Sequence, residues 1–268
     1  MISLLFFLVV NVVCSHGYLL KSSDDSTFWD HLSVKFLSRY SIPMNKDTAL
    51  KDGWDLHFDG CKEDNEETFK GQIYKKSNDA NTLIIFDVNG LIGGIQLAIP
   101  KETKVANKWI GKAYFQIGNM YYITVYFTDI SNMCRSDNKR DKKSVGDKLL
   151  ILNGENQSME IPLHEKDLLG TKWVSGKCFL GMGQHYWYGI TTDMDCNDFF
   201  PVFLLYNSNQ LDAFGFATYG ALNGSHLEHP PSSLISLFFK RESFPKCLLN
   251  QDAFSTQHVY LNNKWKLC

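Results

Sequence analysis

The chain has 268 residues and a formal net charge of −2 at pH 7, so it lacks the basic excess typical of nucleic-acid-binding proteins. Hydrophobic residues make up 44% of the sequence, which is ample for a packed core, and the 14% of aromatic residues favours strands over helices. This length fits one large domain or two small ones.

Residues 1–15, MISLLFFLVVNVVCS, form an apolar run that ends on a small residue and predict a signal peptide. The run is too short to span a bilayer, and no later segment approaches the roughly 20 apolar residues of a spanning helix. No Lys or Arg precedes it, so only the terminal amine supplies the usual positive charge. We expect a secreted, extracellular protein without a membrane span.

Six cysteines follow the predicted cleavage point, and an even number in an oxidising compartment predicts three disulfides: Cys61, Cys134, Cys178, Cys196, Cys247 and Cys268. No two have the CxxC spacing of a zinc ribbon or redox site. Free buried thiols are the alternative. Sequons at Asn156 and Asn223 predict a glycoprotein.

Residues 16–41 are predicted to be an N-terminal helical segment. Phe28, Leu32 and Phe36 have helical spacing, and the pattern stops before Pro43. Short apolar runs follow, separated by turn residues such as Asn89-Gly90, which is the pattern of antiparallel hairpins.

An internal repeat organises the rest of the chain. At one constant offset, the following residues superpose: Ile42-Pro43 on Ile161-Pro162, Leu50 on Leu169, Trp54 on Trp173, Asn78-Asp79 on Asn197-Asp198, and Ala98 on Ala217. At a larger offset, VYFTDISNMC (125–134) matches VYLNNKWKLC (259–268). The repeat predicts a mainly β protein of two tandem duplicated antiparallel modules, sandwich-like or small barrels, behind a short helix. The modules span 42–134 and 161–268, joined by a linker at 135–160, and the second carries an insertion at about 219–256.

Two other interpretations stay open. Hairpin-rich sequences resemble one another in their apolar runs, although shared strand chemistry does not explain Ile-Pro and Trp at one fixed offset. Gly53-Trp54 resembles the Gly-Trp opening of calycin barrels, which implies a single barrel, whereas the repeat argues against one. In the predicted linker, Lys139-Arg140 is either a processing site or part of a charged surface loop.

The repeat also suggests the disulfide pairing. One cysteine follows the shared Trp in each copy, and another closes each copy, which predicts Cys61–Cys134 and Cys178–Cys268. Cys196 and Cys247 have no counterparts in the first copy and are predicted to form a third bridge within the second.

The second module concentrates the candidate site residues. His226 and His229 are candidate ligands of zinc or copper, and His185, His258 and Glu228 are candidates for acid–base catalysis. The H-x-x-H spacing precedes two prolines, so it cannot be the helical motif of metalloproteases. Histidines on the surface or hydrogen-bonded in a core are the alternative.

Tyr186, Trp187 and Tyr188 allow two interpretations. They are either a two-faced core strand or an aromatic platform that binds sugar rings or an apolar ligand.

No nucleophile elbow, P-loop or dinucleotide motif is present in the sequence. We therefore expect a non-enzymatic extracellular binding protein whose second module binds a carbohydrate, a small apolar molecule or a protein. The alternative is a secreted enzyme, with or without a metal ion, that uses the second-module histidines.

Overall fold

The structure is a computed structural model that describes residues 29–62, 69–155 and 157–264. The predicted signal peptide, Asn156 and Cys268 lie outside the described residues. Within them the fold is mainly β, as predicted. In chain order the strands are β1 Ser33–Val34, β2 Tyr40–Ser41, β3 Trp54–Asp59, β4 Gln72–Lys76, β5 Asp79–Phe86, β6 Ile92–Pro100, β7 Phe115–Ile117, β8 Met120–Tyr126, β9 Leu149–Leu152, β10 Ser158–Ile161, β11 Trp173–Phe179, β12 Gly183–Tyr188, β13 Val202–Asn207, β14 Gln210–Tyr219 and β15 Phe254–Tyr260.

The strands form two antiparallel sheets. Sheet A has the order β10-β9-β8-β6-β5-β4-β3, with β7 paired on β8, and sheet B has the order β11-β12-β13-β14-β15-β1-β2. Each sheet therefore contains a five-stranded meander from one predicted module, β3-β4-β5-β6-β8 in sheet A and β11 to β15 in sheet B. The matching strand order agrees with the predicted duplication, and common ancestry of the two halves stays a prediction.

Helices are short. Within residues 29–62, 69–155 and 157–264, two are α-helical: α1 Lys46–Lys51 and α2 Ser232–Ile235. The Asn45 side chain caps α1 by accepting a hydrogen bond from the Thr48 N–H. Single 3₁₀ turns occupy Asn107–Trp109, Ile130–Asn132, Glu165–Leu168, Cys196–Asp198, Ser236–Phe238, Arg241–Ser243 and Lys246–Asn250. None of the described helices is long and apolar enough to span a membrane.

The predicted N-terminal helix is wrong for residues 29–41, the part of that segment that the structure describes. These residues form β1 and β2, and Lys35 between them has a φ of 71°, a left-handed conformation that ends any helix. β1 pairs with β15, so that Val34 lies opposite Val259. Pairing with a strand far along the chain overrides the local helical spacing.

Each meander is extended by a hairpin from outside its own predicted module. β1 and β2 come from residues before the first module and extend sheet B, whereas β9 and β10 precede the second module and extend sheet A. The predicted linker at 135–160 is therefore corrected, because it contains β9 and most of β10. Each sheet is therefore built from strands of both halves of the chain.

The main core lies between the sheets, which makes the protein sandwich-like and not a single barrel. The rings of Phe127 and Phe214 lie 6.2 Å apart, and the Trp29 indole donates a hydrogen bond to the Leu211 carbonyl. The Gln257 side chain donates to the Thr82 hydroxyl at 2.7 Å. Both of these polar side chains are buried, so the sheets are fixed by specific bonds as well as by apolar contact.

The disulfides Cys61–Cys134 and Cys196–Cys247 are present, as predicted. Cys178 is also disulfide-bonded, and its predicted partner Cys268 lies outside the described residues.

Candidate functional site

The outer face of sheet B, which points away from sheet A, is covered by the chain between β14 and β15. We call residues 220–253 the roof; they correspond to the predicted insertion. The roof is tied to the sheet by backbone bonds between Glu228 and Thr256 in both directions and by the Trp187 indole, which donates to the Phe238 carbonyl at 3.2 Å. The Cys196–Cys247 disulfide anchors its far end.

A cavity of about 340 Å³ lies between the roof and the outer face of sheet B. Most of its lining is aromatic or aliphatic, including Trp187, Phe203, Ile235, Phe238 and Phe239. Leu37 and Leu234 lie at the exposed side of this lining, with 88% and 46% of their surfaces accessible. Cavities of this size and chemistry typically bind small apolar molecules.

Gly215 on β14 allows one wall of the cavity to form. A Cβ atom at this position would lie only 2.6 Å from Phe203 Cε1, so no side chain fits beneath the ring. The Phe203 ring can therefore extend across β14, and its centroid lies 5.2 Å from that of His258 and 4.9 Å from that of Trp187.

Glu228 and His258 form the main polar group of the cavity. His258 donates from Nδ1 to Glu228 Oε2 at 3.0 Å, and the Thr256 hydroxyl donates to the same oxygen at 3.2 Å. The other carboxylate oxygen accepts a hydrogen bond from the backbone N–H of Phe36. A residue just after β1 thus completes a site built from the roof and β15.

The protein keeps Glu228 ionised. Burial raises the pKa of Glu228, but the charge of His258 and the hydrogen bonds from His258, Phe36 and Thr256 lower it more, so the net pKa lies below the ordinary value. His185, which also lines the cavity, donates from Nδ1 to the Lys177 carbonyl at 3.0 Å if this nitrogen carries the proton. Burial, followed by the charge of His258, lowers the pKa of His185 to about 3, which keeps its ring neutral.

The structure separates the two predicted metal ligands. His226 lies away from the cavity, with Nδ1 3.0 Å from Asp79 Oδ2 and its ring centroid 4.4 Å from that of Tyr40, the two rings tilted by 33°. His229 lines the cavity, and its Nε2 lies 2.7 Å from the Leu222 carbonyl oxygen. In the described parts of the chain, no three His, Cys, Asp or Glu side chains form a group that could hold a metal ion.

The three residues of the predicted aromatic platform lie on opposite faces of one strand. Residues 183–188 form β12, so alternate side chains point to opposite faces. Trp187 lines the cavity. Tyr186 and Tyr188 face the other way: Tyr186 donates to Glu165, and Tyr188 packs against Trp173, so neither lines the cavity.

Sequence reasoning missed Phe36, Phe203 and Gly215 as site residues. A buried Phe has no signal that separates a cavity wall from a core, and the contribution of Phe36 is a backbone N–H. Asn223, the sequon within the described residues, is exposed, and its glycosylation stays a prediction. Comparisons of the chain with protein-family models, with curated proteins and with solved structures gave no match.

Proposed function

We propose that the protein is a secreted binding protein and that the cavity under the roof holds a small, mainly apolar ligand. The observation that carries this proposal is the cavity itself, with its volume of about 340 Å³ and its aromatic lining. Burial of apolar ligand surface against such a lining supplies affinity, roughly 25 cal/mol for each Å² removed from water. The few polar groups of the lining would then orient the ligand.

Binding is tested with the neutral fluorescent probe N-phenyl-1-naphthylamine. We expect saturable enhancement of its fluorescence by the native protein. Leu234→Trp, at the exposed side of the cavity, should weaken the affinity about tenfold or more by filling the entrance. The matched control is Leu237→Trp, because Leu237 is similarly exposed, at 44%, but is not part of the cavity lining.

Two outcomes would overturn the proposal. One is the absence of saturable enhancement with the native protein. The other is an equal effect of Leu234→Trp and Leu237→Trp, which would place the probe elsewhere on the surface.

General-base catalysis in the same cavity is a second candidate function, and one contact favours it. A carboxylate that accepts a hydrogen bond from histidine Nδ1 leaves Nε2 able to accept a proton, as Glu228 does for His258. The test is release of 2-naphthol from 2-naphthyl acetate. If His258 is the base, His258→Phe abolishes protein-dependent release while probe binding persists; equal rates for the two proteins exclude this function.

A further inference from the structure

We infer that the ligand of the cavity carries a hydroxyl group that donates a hydrogen bond to His258 Nε2, which makes it an apolar alcohol or phenol. This inference rests on the proposed function, since it concerns the same cavity. It is argued from the hydrogen bonds of the polar atoms in the lining: some already have a partner within the protein, and a ligand would bond to an atom that has none.

The free atom is His258 Nε2. The side chain is 5% exposed and lines the cavity, and its Nδ1 is bound to Glu228. Among the described residues, none forms a hydrogen bond with Nε2, which lies on the side of the ring away from Nδ1. Since Nδ1 faces the carboxylate, the uncharged tautomer that donates to Glu228 has its lone pair on Nε2.

Sheet A has a polar pair at the place that corresponds to His258 in sheet B. There the neighbouring residues Gln96 and Thr124 are paired across β6 and β8, and the Gln96 amide donates to the Thr124 hydroxyl at 2.9 Å. In sheet B the corresponding pair is Gly215 and His258. Because Gly215 has no side chain, β14 provides no hydrogen-bond partner for His258 on β15, and a ligand in the cavity can take that place.

The cost of burying a charge disfavours the competing head groups. An ammonium group would lose its hydration in an apolar cavity where Glu228 already accepts hydrogen bonds from Phe36, Thr256 and His258. A carboxylate would add a second negative charge beside Glu228 in an apolar cavity, and Lys35, the one Lys or Arg among the described residues of the lining, donates to the Ser225 carbonyl at 2.9 Å. His185 stays neutral. A hydroxyl group satisfies Nε2 without burying a new charge.

The test compares 2-naphthol with 2-methoxynaphthalene, which has the same ring system but no donor. Displacement of N-phenyl-1-naphthylamine gives both affinities. We expect the native protein to bind 2-naphthol about tenfold more tightly, the usual effect of one buried hydrogen bond. In His258→Phe the ratio should fall to about one, while 2-methoxynaphthalene keeps its affinity.

The control variant is His229→Phe. His229 also lines the cavity, but it is an exposed residue, whereas His258 is 5% exposed, so water can satisfy the nitrogen of His229 that does not contact Leu222 and the variant should keep the tenfold ratio. A variant that fails to fold loses both compounds and is recognised by that loss; His258→Leu then replaces His258→Phe and should also reduce the ratio, because leucine has no hydrogen-bond acceptor.

The outcomes separate this inference from the proposed function. Equal affinity of the native protein for the two compounds overturns the inference and leaves the cavity a binding site. Tighter binding of 2-naphthoate than of 2-naphthol overturns it in favour of a carboxylate ligand. If no compound and no probe binds, both proposals fail.

Discussion

The absence of a side chain at Gly215 determines how one wall of the cavity is built. It allows Phe203 to cross β14, and Phe203 in turn contacts both His258 and Trp187. Its φ angle is not in the left-handed region, so the requirement for glycine here is the space under the ring and not the backbone conformation.

Gly215→Ala is therefore expected to destabilise the protein by about 1 to 3 kcal/mol, the usual cost of an overpacked core, and to weaken probe binding. Urea unfolding followed by tryptophan fluorescence measures the first effect. The double variant Gly215→Ala, Phe203→Leu should cost less than the sum of the two single changes, because the smaller side chain relieves the contact. Additive costs would show that the two residues do not interact.

For single residues, the sequence predicts which side chains are candidates for the site better than it predicts where they lie relative to the cavity. His185, His258, Glu228 and Trp187 all line one cavity, as a concentration of such residues in the second module suggested. His226 does not, because the backbone between it and Glu228 turns it towards Asp79 in sheet A. His226 and Glu228 are only two positions apart in the sequence but face opposite sides of the roof, and no spacing rule contains that information.

The roof is the element that converts the outer face of sheet B into a cavity. Its attachment depends on Cys196–Cys247, which closes a sequence separation of 51 residues, and Leu248 next to Cys247 lines the cavity. Cys61–Cys134 closes a separation of 73 residues in the other half of the protein. By the chain-entropy model each disulfide contributes about 4 kcal/mol to the free energy of unfolding. Removing either one should therefore destabilise the protein by a similar amount, and a difference in ligand binding can be assigned to the roof.

Replacing Cys196 and Cys247 with Ser should weaken probe binding severalfold and allow trypsin to cut the roof at the exposed Lys240 and Arg241. Replacing Cys61 and Cys134 with Ser should lower stability by a similar amount but leave probe affinity unchanged. Urea unfolding, probe titration and limited proteolysis measure the three effects. If both pairs weaken binding equally, global stability and not roof attachment controls the site.

The positions of the strands in the sequence were easier to predict than which strands pair with one another. Alternating apolar residues and turn signals locate the two meanders, because those features act within a few residues of chain. The residues around Val34 have helical spacing but form β1, since the free edge of β15 offers backbone partners more than 200 residues away. A one-dimensional pattern contains no signal for such a partner.

For the whole molecule, buried histidines make the free energy of unfolding depend on pH. His185 lies in the outer face of sheet B, and His226 joins the roof to Asp79 of sheet A. Burial lowers the pKa of His226, as do Lys76 and Lys35, and Asp79 only partly opposes this. Both folded-state pKa values lie below the ordinary 6.5, so the unfolded chain binds more protons as the pH falls.

The sign of the pH dependence follows from these shifts. The stability that the two neutral histidines provide is fully present above pH 6.5 and is lost as the pH falls below that value. For His185, whose pKa falls to about 3, the loss between pH 7 and pH 5 amounts to about 2 kcal/mol. Glu228 and Asp79, whose pKa values are also lowered, add their own losses only at more acidic pH, below about 4.5.

His185→Asn isolates this contribution, because an asparagine amide can still donate to the Lys177 carbonyl but does not titrate. We expect the free energy of unfolding of the native protein to fall more steeply between pH 7 and pH 5 than that of the variant, by about 2 kcal/mol. Urea denaturation at several pH values measures both slopes, and the comparison at pH 8 gives the cost of lost packing separately. Parallel curves would mean that His185 becomes protonated in the folded protein, which requires water to enter the cavity beside it.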